Sequence, residues 1–438
     1  MKKWMKLLVM AVLIPALVFS FASCTAKETP VASKGEETFT PRLDTNTDCS
    51  VNVAGHYNNF EALEAEFNNF SKYYPNVTLT YTYMDGYSKA GSGILSTALS
   101  GSEAPDIFFT YPWMRGWEDG DIIFASAENL ADPALNIGLS CIRPNLLVSE
   151  EDGKILSVPV YTTTYGMMVN EDLFKKCGVN VPETYSELLS ACKAFKDAGY
   201  ECPIMGYNKG SDLLYPMFYP YFCANLQGNE GALKAMNGFE PGAGEYMRST
   251  LQLVEDFISK GYIDLEKCNE LEDNYDAVIL RFFEGDVPMM LASGNTVSGT
   301  EKREAKSEAF IANPFKYSFY PVPSTDEGGY FLNAVSVGFG VNKNSKNLDM
   351  ANEFMRFLIR TDELNSMAKA KRMLTPCVNL APDSVYAPFG KLGTDRFINL
   401  TELGLADAAS SQVSKAGWLV SNGNMTADEA VAAYGNIE

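Results

Sequence analysis

Apolar residues along this chain fall into two rhythms. Val77 to Tyr83 reads Val-Thr-Leu-Thr-Tyr-Thr-Tyr, the strict alternation of a strand with one apolar and one polar face. Before it, Cys49 to Gly55 is a short apolar strand, and Phe60, Leu63, Phe67 and Phe70 recur at helical spacing until Pro75 stops them. After a helix near Ala90 to Leu99, the run Pro105-Asp106-Ile107-Phe108-Phe109 is apolar enough to be expected at the centre of a sheet. Strand, helix, strand, helix, strand at this spacing predicts a parallel α/β sheet with right-handed crossovers.

The stretch from Val158 to Leu189 carries the clearest local signals. Tyr161 to Val169 is rich in Thr, Tyr and Val and reads as a strand. Asn170 then caps a short helix with Glu171 and Asp172 in its first turn, Lys175 and Lys176 in its last, and Gly178 as its stop. Thr184 and Glu187 have capping-box spacing, and Leu188, Cys192 and Phe195 share one face of the next helix. Further along, helices are predicted over Glu245 to Lys260, Asp276 to Glu284, Asn347 to Arg360 and Thr426 to Tyr434. Strands are predicted over Cys202 to Tyr207, Val287 to Ala292 and Ala334 to Asn342, with Pro321 to Tyr330 a loop. No internal repeat of solenoid or propeller length is present.

Composition narrows the picture without changing it. Hydrophobic residues at 46% and charged residues at 21% are those of an ordinary globular chain, so extensive disorder is not expected. The formal charge is −20, and removing Lys2, Lys3 and Lys6 with the first 23 residues takes it to −23. Nucleic acid and anionic lipid surfaces would be repelled. Those three lysines, the apolar run Leu7 to Phe21, and Phe21-Ala22-Ser23-Cys24 resemble a bacterial signal peptide ending in a lipobox, with Phe21 in place of the usual Leu. Cleavage there would leave a lipidated Cys24 and, from Thr25 on, a flexible Lys/Glu/Thr/Ser/Pro stalk. Eight cysteines remain, which allows about a hundred complete pairings, and spacing does not choose among them. With no Cys-x-x-Cys and a single histidine, His56, no metal site is expected.

Four motifs in order carry a resemblance. Gly101-x-x-Ala-Pro-Asp-Ile107 comes first, then a Pro-centred strand running into Val169-Asn-x-Asp-Leu-Phe174 and Pro182-x-Thr184. Phe282-x-x-Gly285 before an apolar strand follows, and Asn342-Lys-x-Ser-Lys-Asn347 before Ala351-x-x-Phe-x-x-Phe-Leu358 is the last. Together they resemble the extracellular solute-binding proteins of bacterial ABC importers, in the carbohydrate class that includes the maltose-binding type. The resemblance spans Cys49 to Glu438.

It implies an α/β, periplasmic-binding-protein-like fold, with two α/β lobes of mostly parallel sheets joined by a multi-strand hinge. The implied division is a signal peptide over 1–23, a lipidated terminus and stalk over 24–47, a first lobe of 48–161 plus 340–389, and a second lobe of 162–339 plus 390–438. Crossings are expected near Thr162 to Tyr165, Asn333 to Phe339 and within Pro382 to Asn399. It further implies a monomer tethered outside the membrane by lipid, binding a small carbohydrate and delivering it to permease subunits, with no cofactor and no nucleic acid.

Ligands of open α/β sheets sit beyond the carboxyl ends of the strands. Candidate ligand-binding residues there are Tyr57, Asn58, Tyr111, Trp113, Tyr161, Thr163, Asp212, Tyr215, Asn295 and Asn333. The set is rich in aromatic and amide groups, which suits a sugar: rings cover its C–H face and amides and hydroxyls pair with its rim. Trp113 is expected in the cleft and Trp117 in the core. Where sugar-binding members often place an aromatic residue after a Gly, this chain has Gly294-Asn295, so amide hydrogen bonding is expected in its place. A glycoside hydrolase is the alternative of another class, and a non-sugar solute such as a peptide is the alternative within the fold. Asp106 follows Pro105 at a strand start and is expected to be structural. No Gly-x-Ser-x-Gly elbow is present.

Overall fold

A computed structural model describes residues 38–57, 61–206, 217, 219–271, 275–378, 383–400 and 403–437. The lipobox with Cys24 and the candidates Asn58, Asp212 and Tyr215 lie outside the described residues. In chain order the strands are β1 (Cys49–Gly55), β2 (Val77–Tyr83), β3 (Ile107–Thr110), β4 (Val158–Thr163), β5 (Tyr165–Asn170), β6 (Ile204–Met205), β7 (Met289–Ser293), β8 (Tyr317–Tyr320), β9 (Phe331–Val341) and β10 (Phe397–Asn399).

Two sheets result. The first runs β10-β9-β3-β1-β2, with β4 also on β9, and the second runs β6-β7-β5-β8. The wholly apolar β3 is buried at every position and lies between β9 and β1, as its sequence requires. Alternating β2 takes the edge, with its threonines exposed. Asp106 is structural: Oδ2 accepts the Asn52 N–H at 2.7 Å and Oδ1 accepts the Ser345 hydroxyl, tying the start of β3 to β1 and to the loop after β9.

The sheets are mixed where mostly parallel ones were expected. Among the described residues β1–β2, β1–β3, β6–β7 and β9–β10 pair parallel, while β3–β9, β4–β9, β5–β7 and β5–β8 pair antiparallel. Every antiparallel ladder contains β5 or β9. These two strands carry the chain between sheets, so their direction is set by where they come from.

The predicted strand over Tyr161 to Val169 is in fact two. It breaks at Thr164, so β4 belongs to the first sheet and β5 to the second, and the ladder with β9 shifts register on either side of Tyr161. The helices that follow are capped as their sequence reads. Asn170 accepts from the Leu173 N–H, Gly178 sits at φ 67°, and Thr184 and Glu187 close a capping box. The third passage differs from expectation. Thr162 and Leu374 exchange backbone hydrogen bonds of 2.8 and 3.3 Å, and Ile142 bridges Cys377. The turn Ser384–Lys391, assigned to the first lobe as far as Phe389 from sequence, instead packs on the second sheet, with Phe319 5.6 Å from Tyr386 and 5.3 Å from Phe389, ring to ring. Tyr386 and Phe389 are buried there and join the core that holds Met167, Phe195, Phe257 and Phe282.

Within the first lobe, helix Glu61–Ser71 packs on helix Thr361–Ala370 through a buried acid. Glu66 is fully buried beside Glu363, and burial, then the hydrogen bond and charge of Glu363, push its carboxyl up to about 8. A raised acid holds a proton in the folded state that the unfolded chain has released. Its stabilising contribution is therefore complete below the ordinary carboxylate value and is lost as pH rises through about 8. Glu66→Gln, which cannot lose that proton, should gain thermal stability relative to wild type as pH goes from 5 to 9; parallel melting curves across that range would show that Glu66 holds no such proton.

Candidate functional site

β1 and β3 are parallel neighbours, with Val53 opposite Ile107, so the loops after them emerge side by side at one end of the sheet. His56 and Tyr57 follow β1; Tyr111 and Trp113 follow β3, with Pro112 opening the turn that carries Trp113. The four rings make a continuous tier. Trp113 stacks on Tyr111 at 4.8 Å and 12°, Tyr111 meets His56 edge-on at 5.2 Å, and His56 lies 4.2 Å from Tyr57. Phe109 supports the tier from the core, 5.8 Å from Tyr57.

Protonation in this tier is set by burial. Burial pushes His56 down to about 4, so its imidazole is neutral at ordinary pH, and it pushes the Tyr111 phenol well up. The Tyr111 hydroxyl and His56 Nδ1 share a hydrogen bond whose direction follows the imidazole tautomer. Trp113 is 51% exposed although its ring is held rigidly from beneath, so it presents a flat apolar face to solvent. The ammonium of Lys371, at the end of helix Thr361–Ala370, lies 5.4 Å from the Tyr57 ring centre. Arg115 does not join the tier: it pairs with Glu150 at 2.6 Å and covers Phe124 at 4.1 Å.

At the floor between the sheets, one amino group touches all three passages. Arg143 Nη2 donates to Thr162 Oγ1 on β4 at 3.3 Å, to Asn333 Oδ1 on β9 at 3.2 Å, and to the Thr375 carbonyl at 2.9 Å. Burial lowers its pKa to about 10, which leaves it charged, and no carboxylate pairs with it among the described residues. On the second-lobe side, Gly294 fits because a Cβ there would come within 2.7 Å of Thr163 Oγ1 and 3.1 Å of the Tyr386 hydroxyl. Arg372, at φ 46°, reaches across from the end of the first-lobe helix to Glu304 at 2.9 Å, Thr300 at 3.0 Å and Tyr317 at 3.1 Å.

A separate cavity of about 570 Å³ lies beside β8, lined by Glu171, Lys316, Tyr320, Glu304 and Arg372 among others. Four of its charged groups pair with one another, Lys316 with Glu171 at 2.8 Å and Arg372 with Glu304, so the aromatic tier and the floor are the stronger site.

Residues 54–363 match the bacterial extracellular solute-binding protein family. The chain belongs to that family. Among curated relatives, this solute-binding protein is 20% identical over 304 residues to the melibiose/raffinose/stachyose-binding protein MelE of Bacillus subtilis; the match takes in 67% of this chain and 66%, just under two thirds, of MelE. Among solved structures it resembles the GacH receptor of Streptomyces glaucescens, studied unliganded and with acarbose, at TM-score 0.67 and 18% identity over 89% of this chain and 97% of that one. It also resembles RafE in complex with raffinose, at TM-score 0.66 and 17% identity over 88% and 98% of the two chains; RafE in its apo form is from Streptococcus pneumoniae. These structures share the periplasmic-binding-protein-like fold with this chain.

Of the candidates read from sequence, Tyr57, Tyr111 and Trp113 come together in the tier. Tyr161, Thr163 and Asn333 are buried in the hinge, 1%, 5% and 2% exposed, where they meet protein. Asn333 donates to Asn399 Oδ1 at 3.2 Å besides accepting from Arg143, and Asn295 Oδ1 accepts the Ser336 hydroxyl at 2.9 Å. Trp117 is half-buried. Sequence reading missed Arg143, Lys371, Arg372 and Ser336. Arg143 sits in a loop without periodicity, between Ile142 and Pro144, and only the fold brings it to three distant strands.

Arg143→Lys keeps the charge, but its shorter and more flexible chain does not hold a donor nitrogen where the rigid guanidinium fixes Nη2. It should lower stability by about 2 kcal/mol, read as a lower urea midpoint; an unchanged midpoint would show that the three contacts do not hold the floor together.

Proposed function

We propose that this chain is a lipid-anchored binding protein that captures an extracellular oligosaccharide between its lobes and delivers it to an ABC permease. The observation that carries this reading is the exposed indole face of Trp113, backed by Tyr111 and set at the carboxyl ends of β1 and β3. A flat, rigid, apolar ring beside hydroxyl and imidazole groups is what a pyranose face with a hydroxyl rim requires. The names of MelE, with melibiose, raffinose and stachyose, and of RafE with raffinose support an oligosaccharide over a single sugar unit or a peptide.

The mechanism is a population shift. Ligand held on the Trp113 tier gains further contacts only when the second lobe approaches, so occupancy favours the closed form. Capture and release need no covalent step, and none is assigned to His56, which is neutral and already hydrogen-bonded to Tyr111. The tether follows from the lipobox ending at Cys24, after which the stalk lets the lobes reach the permease.

Isothermal titration calorimetry against raffinose, stachyose and other oligosaccharides tests the reading. Binding to at least one is expected, and Trp113→Ala should weaken it by about 1 kcal/mol or more, roughly fivefold. Unchanged affinity would remove Trp113 from the site, and absence of binding together with turnover of a glycoside would replace this reading by a hydrolase.

A further inference from the structure

Cys141 and Cys377 are far apart in sequence and adjacent in space. Ile142 bridges Cys377 in antiparallel register, the Val378 N–H donates to the Cys141 carbonyl at 2.9 Å, and the Arg143 N–H donates to the Pro376 carbonyl at 3.0 Å. Both sulfurs lie against the same segment: Cys141 Sγ is 3.7 Å from the Ile359 carbonyl and Cys377 Sγ is 4.0 Å from that of Thr361. Both are reduced in the structure.

We propose that Cys141 and Cys377 form a disulfide in the exported protein, a covalent staple that fixes the third passage between lobes to the segment carrying Arg143. The oxidant is the disulfide of an extracytoplasmic thiol oxidoreductase or of oxidised glutathione. Cys141, the part-exposed sulfur, attacks it as the thiolate, forming a mixed disulfide and expelling one thiolate. Cys377 then attacks Cys141 Sγ and expels the second. Two protein thiols lose two protons and two electrons to form one S–S bond, and one oxidant disulfide is reduced to two thiols.

Electrostatics favour the resolving step. Once Cys141 is in the mixed disulfide its thiol proton is gone, and the nearby charge of Arg143 is what favours the Cys377 thiolate against its burial. Cys202 and Cys268 are also within reach of one another, but both are buried in the second core, with no exposed sulfur for an oxidant to meet. Exported proteins meet the conditions under which such bonds persist. The staple would also close a long loop of chain, where restriction of the unfolded state is large.

The test is peptide mapping of the full chain after equilibration with a mixture of oxidised and reduced glutathione, followed by alkylation in denaturant and mass spectrometry. The expected result is one linked peptide pair joining Cys141 to Cys377, abolished by reductant. The oxidised protein should melt about 5 °C or more above the reduced one, a difference absent from the Cys141→Ser, Cys377→Ser double variant. Recovery of both cysteines alkylated without reduction, or of either linked to a different cysteine, would overturn the proposal.

Discussion

A hinge between two lobes must be weak enough to bend and specific enough to bend one way, and here both demands meet on Arg143. Its Nη2 group is shared by β4, β9 and the segment after Leu374, the three passages of the chain between sheets. Without it, Thr162, Asn333 and the Thr375 carbonyl would be polar groups at a buried junction. The guanidinium satisfies them together and so couples passages that could otherwise twist separately. Three coupled strands restrict relative motion to a hinge. The register shifts around Tyr161 and the break at Thr164 put the bend beside this contact.

The aromatic tier depends on that junction in turn. Trp113, Tyr111, His56 and Tyr57 belong to one lobe and are held by their own packing, so on the proposed reading half of the site is formed before any ligand arrives. What closure adds must come from the other side, where Asn295 is held by Ser336 of β9 and Gly294 lies against Thr163. Arg372, reaching from the first-lobe helix to Glu304 and Tyr317, is a further polar link across the cleft. On the proposed mechanism, closure rearranges contacts that already exist between the lobes, and ligand tips a balance between two packed states.

Much of this was legible in the sequence, and the division has a physical basis. The caps at Asn170, Gly178 and Thr184, the apolar run of β3 and the alternation of β2 are local, because a helix end or a sheet position leaves its mark on the residues that form it. The break at Thr164 was not legible: Thr-rich strand sequence continues through it, and only the pull of two different sheets divides β4 from β5. The turn Ser384–Lys391 was misassigned for a similar reason, since nothing in its own residues says that Phe319 is its partner. In the candidate site, the rings that follow β1 and β3 were legible as neighbours, because they obey a rule about strand ends. It placed Tyr161, Thr163 and Asn333 at the crossings, where they are buried. Arg143 and Arg372 escaped because their roles are defined by partners far away in sequence.

The central claim is that ligand on the Trp113 tier closes the lobes about the junction held by Arg143. Small-angle X-ray scattering during a titration with a bound oligosaccharide, with occupancy followed by calorimetry, measures this directly. The account predicts a radius of gyration that falls in proportion to occupancy and saturates with it. Full occupancy with an unchanged radius of gyration would contradict it.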